Sequence, residues 1–451
     1  MIWKVNLYGD GMNKINLQIL KGTRDFLPSQ YIIRKRVIEV IARTFECFGF
    51  EPMETPAIEY AETLEGKYGE EGDRLIYKFE DRGGRKVALR YDLTVPLART
   101  MAMYQVEKPF RRYQIAPVWR ADKPQKGRFR EFWQCDADIV GSREVWADAE
   151  VIAVTYCALK NLGFNDFTIR VNTRKLLNGM ALYGGVTDKE MAGFFRTIDK
   201  AEKIGWDEVK QELRAKNFFA AAIDKTIDLI VEENKGDAAL NRLKITLKDI
   251  PIAQEGVAEL EEIKRCLANL GVEQRNVLFD GSLARGLDYY TGPIFETVIN
   301  KPRIGSISGG GRFDSLIGLF SGRDMPATGT SLGLERIITM MEELSMFPTT
   351  PTVSRLLVTV FDRSLFGESL QVASELRSAG INVEVYLNDD RLKKQLEYAN
   401  RKVIPLVLII GPDEKEKGEV VLRNMERKTQ VTVPRKELVN KIKTVFSAGS
   451  Q

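Results

Sequence analysis

Three stretches of this sequence concentrate the side chains able to do chemistry. The first runs from Phe110 to Gly141, FRRYQIAPVWRADKPQKGRFREFWQCDADIVG. It reads as two strands joined by a charged loop. Along the second strand Phe129, Trp133, Cys135, Ala137 and Ile139 share one face, and Arg130, Phe132, Gln134, Asp136 and Asp138 share the other. The first face suits a core. The second is too polar for a dry core, so it either meets solvent or floors a site for a polar ligand. Arg120 closes the first strand, and the loop adds Lys123, Lys126 and Arg128. Loop cations beside strand carboxylates suit a ligand with a phosphate at one end and an ammonium at the other. The alternative is a solvated hairpin with ordinary surface charge.

The second stretch, RGLDYYTG, brings together Arg285, Asp288, Tyr289 and Tyr290. Extended, adjacent tyrosines point to opposite faces, so that one packs while the other presents its hydroxyl. The third is GTSLGLERI, where Arg336 follows Gly329, Ser331 and Gly333, small residues that let a flat ring approach the backbone. Gly309-Gly310-Gly311 reads as a tight turn rather than a phosphate cradle, and neither a P-loop nor a dinucleotide fingerprint is present. The chain contains no histidine. That excludes a histidine base, histidine-ligated metals and HExxH chemistry. An enzyme built this way works by positioning and charge, or with carboxylates, Tyr, Lys and Cys.

Regular elements must position these groups. A helix is expected over about 29–48, stopped by Gly49. Short strands at Lys78–Phe79 and Lys86–Tyr91 flank the turn Asp81–Gly84, and Tyr91-Asp92-Leu93-Thr94 leads into a helix with Pro96 in its first turn. Helix over 144–162 and strand over 167–172 follow. Residues 174–269 read as a helical, charged insertion, because strand character resumes only at Val277. Their charge belongs to solvated helix faces or to a partner surface. The Pro- and Thr-rich stretch 346–354 is a linker. Beyond it, residues 355–451 alternate apolar strands with helices, as a separate α/β domain does. Residues 1–19 read as an extension, with Met12 a second plausible start, and 20–345 as the main domain.

Composition sets the limits. A chain of 451 residues has room for two to four domains. Neither a long apolar run nor a signal peptide is present, so a cytoplasmic protein without a membrane partner is expected. Four dispersed cysteines imply neither a disulfide framework nor a zinc site. A net charge of +4 permits nucleic-acid binding through local patches without demanding it.

These motifs together resemble the histidyl-tRNA synthetases, class II aminoacyl-tRNA synthetases, from Lys21 to the C-terminus. GFEPMETP resembles the first class motif, at the family's dimer interface; VWRADKPQKGRFREFWQCDADIVG resembles the second and GTSLGLERI the third. RGLDYYTG and SGGGRFDSLIG resemble the two histidine-specific motifs. DLTVPLAR and QCDAD are similar to the eukaryotic and archaeal form, and KPQKGR to the bacterial one.

The resemblance implies an α+β catalytic domain, an antiparallel sheet flanked by helices, over 20–345. It carries a helical insertion and is followed by an α/β anticodon-binding domain. It implies a homodimer that activates L-histidine with ATP and Mg²⁺ and charges tRNA(His). By motif position, Arg120 would hold the α-phosphate and the substrate carboxylate, Arg336 the triphosphate of ATP, and Arg285 would lie near the α-phosphate. Those three would be catalytic. Asp92, Leu93, Thr94 and Gln134 would surround the substrate ammonium, and Asp138, Tyr289 and Tyr290 the imidazole. Asp122 would join Arg120 and Arg336 at ATP. No protein metal site is implied. The alternative is a catalytically silent, histidine-sensing paralogue that regulates histidine biosynthesis. Such proteins lack the C-terminal domain and have degraded ATP arginines, whereas Arg120, Arg285, Arg336 and that domain are all present.

Overall fold

The computed structural model describes residues 17–125, 127–231, 235–284, 289–299, 301–302, 305–347 and 352–448. The described residues form two compact units. One holds the chain up to Arg24 and from Val37 to Met346, the other Asp25–Arg36 and the chain from Phe347 onward.

The larger unit is organised by an eight-stranded sheet in the order Glu51–Pro52, Phe110–Trp119, Glu131–Val140, Ala327–Gly333, Ser308–Arg312, Pro293–Val298, Thr168–Thr173, Val277–Phe279. The six inner strands run antiparallel. The outermost pair at each edge is parallel, so the sheet is mixed. Each edge strand is separated from its parallel neighbour by a long stretch of chain, as parallel pairing requires. The hairpin Phe110–Trp119/Glu131–Val140 is paired along its whole length, with Arg112 opposite Asp138, Gln114 opposite Asp136 and Ala116 opposite Gln134.

Gly309-Gly310-Gly311 is not a turn. The segment Ser308–Arg312 is a strand bonded on both sides. Its glycines answer to crowding. A Cβ on Gly310 would lie 2.1 Å from the Gly329 carbonyl oxygen, and one on Gly311 2.6 Å from that of Pro293.

One face of the sheet is covered by the helix Val145–Asn161. Thr155 on that helix meets Thr330 at 2.9 Å, and the apolar alternation of Cys135, Ala137 and Ile139 is buried on the same side. Between Thr173 and Val277 the chain forms seven α-helices among the described residues. The first and last, Arg174–Gly184 and Pro251–Asn269, pack closely enough that a Cβ on Gly179 would meet that of Ala253 at 2.4 Å.

The smaller unit carries a five-stranded sheet in the order Val383–Val385, Leu356–Val358, Leu406–Ile409, Glu419–Asn424, Thr429–Pro434. Its first three strands are parallel and its last two antiparallel. The helices Phe366–Ser378 and Leu438–Ala448 cover it, and Val358, Val372, Leu376, Leu408 and Ile442 meet in the core. The last strand lies at an edge and is mostly exposed, which explains why TQVTVP gives no apolar signal.

Candidate active site

The open face of the large sheet carries the polar alternation of the second hairpin strand, and it is not solvated. Gln134, Asp136 and Asp138 are all buried, Asp136 being 1% exposed. The facing strand makes room for them with small residues. Gly329 lies opposite Asp138, and a Cβ there would fall 1.9 Å from Asp138 Oδ1. Ser331 lies opposite Asp136 and accepts from Gln134 Nε2 at 2.6 Å.

Arg112, opposite Asp138 on the other side, is fully buried. Its Nη2 pairs with Asp138 Oδ2 at 2.8 Å and donates to the Leu93 carbonyl at 3.1 Å. Arg112 Nε and Nη1, Gln134 Oε1 and Asp136 Oδ1 are buried without a partner among the described residues. Four orphaned polar atoms on one patch of sheet are the mark of a site waiting for a ligand or ordered water. Burial lifts both carboxyls above the ordinary aspartate range. The charge of Asp138 lifts Asp136 further, while Arg112 pulls against the rise at both.

A second wall comes from the segment before the helix Thr94–Met103. Asp92 Oδ1 accepts from the Val95 backbone N–H at 3.1 Å, closing the helix start, and from the Tyr68 hydroxyl at 2.9 Å. Burial raises the Asp92 pKa, opposed by that N–H and by Arg120. Leu93 is buried against Ala116 and Val118, and Thr94 begins the helix. The Arg120 guanidinium lies 4.3 Å from the Tyr91 ring centre and 5.0 Å from that of Phe132, and its Nε donates to the Tyr91 carbonyl at 3.1 Å. An arginine held between two rings is pre-aimed at an anion.

Tyr289 and Tyr290 complete the enclosure. They sit in a turn with ring centres 4.7 Å apart, rather than extended on opposite faces. Burial first, then each other's proximity and Asp92, hold the Tyr289 hydroxyl protonated far above neutrality. Tyr68 is kept neutral in the same way by burial and Asp92. The electrostatic contacts among Tyr68, Asp92, Arg112, Arg120, Asp136, Asp138 and Tyr289 make them one cluster. It sets two guanidiniums against three carboxyls, so a ligand bearing a cation and an anion is matched.

The other sequence candidates are placed differently. Arg336, on the helix Leu334–Glu343, donates to the Ser306 carbonyl. Asp122 lies in the hairpin loop with Oδ2 3.6 Å from Arg128 Nη1. Arg285, Asp288 and Lys126 fall outside the described residues. Sequence pattern alone overlooked Arg112, Tyr68, Asp136 as a site group, and Glu335. The signal for Arg112 was available: its strand alternates in burial, and Arg112 shares a parity with Gln114 and Ala116. Glu335 is buried, pairs with Arg24 and accepts from the Trp133 backbone N–H at 3.3 Å, tying the final helix to the hairpin.

A model of the family described as Histidyl-tRNA synthetase matches residues 22–337. The chain belongs to the histidyl-tRNA synthetase family. A second model, described as Anticodon binding domain, matches residues 355–445. The histidine–tRNA ligase of Gloeobacter violaceus is 41% identical over 93% of this chain and 96% of its own length. That of Aeropyrum pernix is 42% identical over 94% and 98%. The crystal structure of histidyl-tRNA synthetase from Nostoc sp. PCC 7120 superposes with a TM-score of 0.85 at 34% identity, covering 96% of this chain and all of that one, 100%. A Bacillus halodurans structure titled as an ATP phosphoribosyltransferase regulatory subunit/histidyl-tRNA synthetase shares the fold, with a TM-score of 0.73 at 23% identity. Among the described residues no helix is long and apolar enough to cross a membrane.

Proposed function

We propose that this chain is a histidine–tRNA ligase that joins L-histidine to ATP as an enzyme-bound adenylate and passes the histidyl group to tRNA(His). The observation that carries this reading is the buried, partner-poor polar floor of Gln134, Asp136, Asp138 and Arg112, lying inside a family match that spans the catalytic unit. Family identity supplies the reaction, and the floor supplies a place for a zwitterion bearing a ring.

In the first step the histidine carboxylate attacks the α-phosphorus of ATP and pyrophosphate leaves. No proton need move, so positioning and charge neutralisation carry the catalysis. Arg120, fixed between Tyr91 and Phe132, bridges the carboxylate and the α-phosphate. Asp92, Leu93, Thr94 and Gln134 surround the ammonium. Asp138, oriented by Arg112, accepts an imidazole N–H, and the neutral hydroxyl of Tyr289 with the hydroxyl of Tyr290 completes the ring's hydrogen bonds. A site that hydrogen-bonds both ring nitrogens rejects apolar analogues by roughly 10⁴ or more without editing. By its motif position Arg285 would serve the α-phosphate, and Arg336 and Asp122 the ATP triphosphate. ATP enters as its Mg²⁺ complex, whose charge the phosphates themselves hold. The C-terminal unit reads the anticodon of tRNA(His), and the working form is a cytoplasmic homodimer.

Histidine-dependent exchange between ATP and pyrophosphate tests the activity directly. The expected result is exchange that needs L-histidine and falls by about 10²–10³ in Arg120→Ala. Folded protein that binds histidine without exchange would instead establish the silent regulatory reading.

A further inference from the structure

The two oxygens of Asp92 are used unequally. Oδ1 accepts from the Val95 backbone N–H at 3.1 Å and from the Tyr68 hydroxyl at 2.9 Å. An ionised carboxylate offers about four lone-pair directions, two at each oxygen. Both directions at Oδ1 are therefore taken. Oδ2 accepts no hydrogen bond among the described residues, so it is the oxygen left for an ammonium. The Val95 N–H belongs to the helix start and is present whatever side chain stands at position 68. The Tyr68 phenol is the half of this arrangement that a side chain supplies.

The ring of the same side chain reaches toward Arg120. Tyr68 and Tyr91 lie with ring centres 4.4 Å apart. Tyr91 in turn carries the Arg120 guanidinium 4.3 Å from its own ring centre, and its carbonyl accepts from Arg120 Nε at 3.1 Å. Ring, ring and guanidinium form one chain of contacts, in which each member limits the tilt of the next. Tyr68 is itself held in place. It stands immediately before the short helix Gly69–Arg74 and packs against the apolar cluster that includes Leu64, Ile76 and Val95. Gly72 on that helix comes so close that a Cβ there would fall 2.4 Å from Tyr68 Cβ.

We infer that Tyr68 is a positioning residue with two separable parts: its hydroxyl turns Asp92 so that Oδ2 meets the substrate ammonium, and its ring braces Tyr91 behind Arg120. The inference rests on the reading of Asp92 as an ammonium ligand and of Arg120 as the ligand of the carboxylate and α-phosphate. Tyr68 acts through one residue on each of these groups. A single side chain thereby sets the amino end of the substrate and its reacting carboxylate relative to each other, which is the alignment that an in-line attack needs.

The test titrates the full-length protein with L-histidine and with 3-(imidazol-4-yl)propanoate, which keeps the ring and the carboxylate but lacks the amine. Binding is read by calorimetry, and the ratio of the two affinities does not depend on how much protein is folded. Tyr68→Phe removes the hydroxyl and keeps the ring. It is expected to weaken histidine by about tenfold and to leave the analogue within about twofold. Tyr68→Leu removes both parts. In ATP–pyrophosphate exchange at saturating histidine its kcat should lie about tenfold or more below that of Tyr68→Phe. Asp92→Asn, which keeps the acceptor at the helix start but loses the charge, serves as the reference and should lower the histidine-to-analogue ratio. If Asp92→Asn leaves that ratio unchanged, the ammonium reading of Asp92 fails and the inference falls with it. If Asp92→Asn lowers the ratio and Tyr68→Phe does not, the reading of Asp92 stands and the role of the hydroxyl is overturned. Equal weakening of both ligands by Tyr68→Phe would overturn that role as well. Equal kcat in Tyr68→Phe and Tyr68→Leu would overturn the role of the ring.

Discussion

The large sheet holds a buried arginine–aspartate pair on each of its faces, and the two are finished differently. On the helix-covered face Arg312 meets Asp148. Nε and Nη2 of Arg312 reach Asp148 Oδ2 at 3.0 and 2.6 Å, while Nη1 and Nη2 also donate to the carbonyls of Ser142 and Glu144 at 2.9 and 3.0 Å. Every guanidinium nitrogen is engaged. On the open face Arg112 meets Asp138 through Nη2 alone, and Nε and Nη1 have no partner among the described residues. Both arginines are deeply buried, so the difference is not one of solvent. A completed pair ties elements together. An incomplete one keeps hydrogen-bonding capacity in reserve, at a cost to stability, for something that is not part of the chain.

Replacing each arginine with methionine should separate the two roles. Arg312→Met leaves Asp148 unpaired and removes the tie to Ser142 and Glu144, and is expected to lower unfolding stability by about 3–5 kcal/mol. Exchange per folded molecule should change by no more than about threefold. Arg112→Met gives up fewer bonds and should cost about 1–2 kcal/mol of stability. It should, however, lower kcat/KM for histidine by at least about thirtyfold, because Asp138 loses the group that orients it. Urea unfolding and exchange kinetics on the two variants decide the matter. Equal stability losses with equal kinetic losses would erase the distinction between the faces.

Two neighbouring glycines sharpen the same contrast with a smaller change. At Gly329 an added methyl would strike the Asp138 carboxylate, and at Gly310 it would strike the Gly329 carbonyl and the Phe295 ring, 2.6 Å away. Overpacking of this kind costs about 1–3 kcal/mol. Gly329→Ala should express that cost in histidine KM, raised by about tenfold or more, because the moved group is a ligand-binding carboxylate. Gly310→Ala should express it in the unfolding midpoint with histidine KM unchanged. A rise in KM for Gly310→Ala, or none for Gly329→Ala, would show that the strain spreads through the sheet and does not stay on one face.

Legibility in the sequence divides along the same line. The hairpin face that needed a core announced itself through Cys135, Ala137 and Ile139, because period-two alternation of apolar residues is the mark of a strand with one buried face. Its polar partner face left solvent and a ligand floor equally open. What decides between them is the opposite strand, where Gly329 and Ser331 make a cover of small residues, and no local pattern reveals which strands become neighbours. Arg112 was missed for a related reason: it acts across the ladder on a residue 26 positions later in the chain, counted from 112 to 138. The SGGGR strand was misread because glycine ordinarily breaks strands. Here it is required by carbonyls approaching from both neighbours, which is a tertiary fact. The synthetase family was legible much earlier than its geometry, since the motifs mark positions whose physical purpose appears only in the assembled sheet.

The smallest expected effect concerns protons. An unfolded aspartate titrates near 3.9. Burial and the neighbouring Asp138 lift Asp136 well above that, against the pull of Arg112 and Ser331. Between the two values the folded chain holds a proton that the unfolded chain has released. Stability therefore falls as pH rises through that window. Asp136→Asn fixes this group in a neutral form. The variant should match the wild type near about pH 5 and overtake it by about 1 kcal/mol or more near about pH 9, read as the urea midpoint without substrate. Asp148 is also raised by burial, to about 6, but Arg312 depends on it. Asp148→Asn should therefore lose stability across the whole range, since it strips a buried guanidinium of its carboxylate. Saturating L-histidine should shrink the advantage of Asp136→Asn at high pH, because a bound ammonium offsets the charge that made the wild type unstable there. An advantage that persists undiminished with histidine bound would mean that the ammonium does not reach Asp136, and the open face would then owe its unpaired groups to something other than the amino end of the substrate.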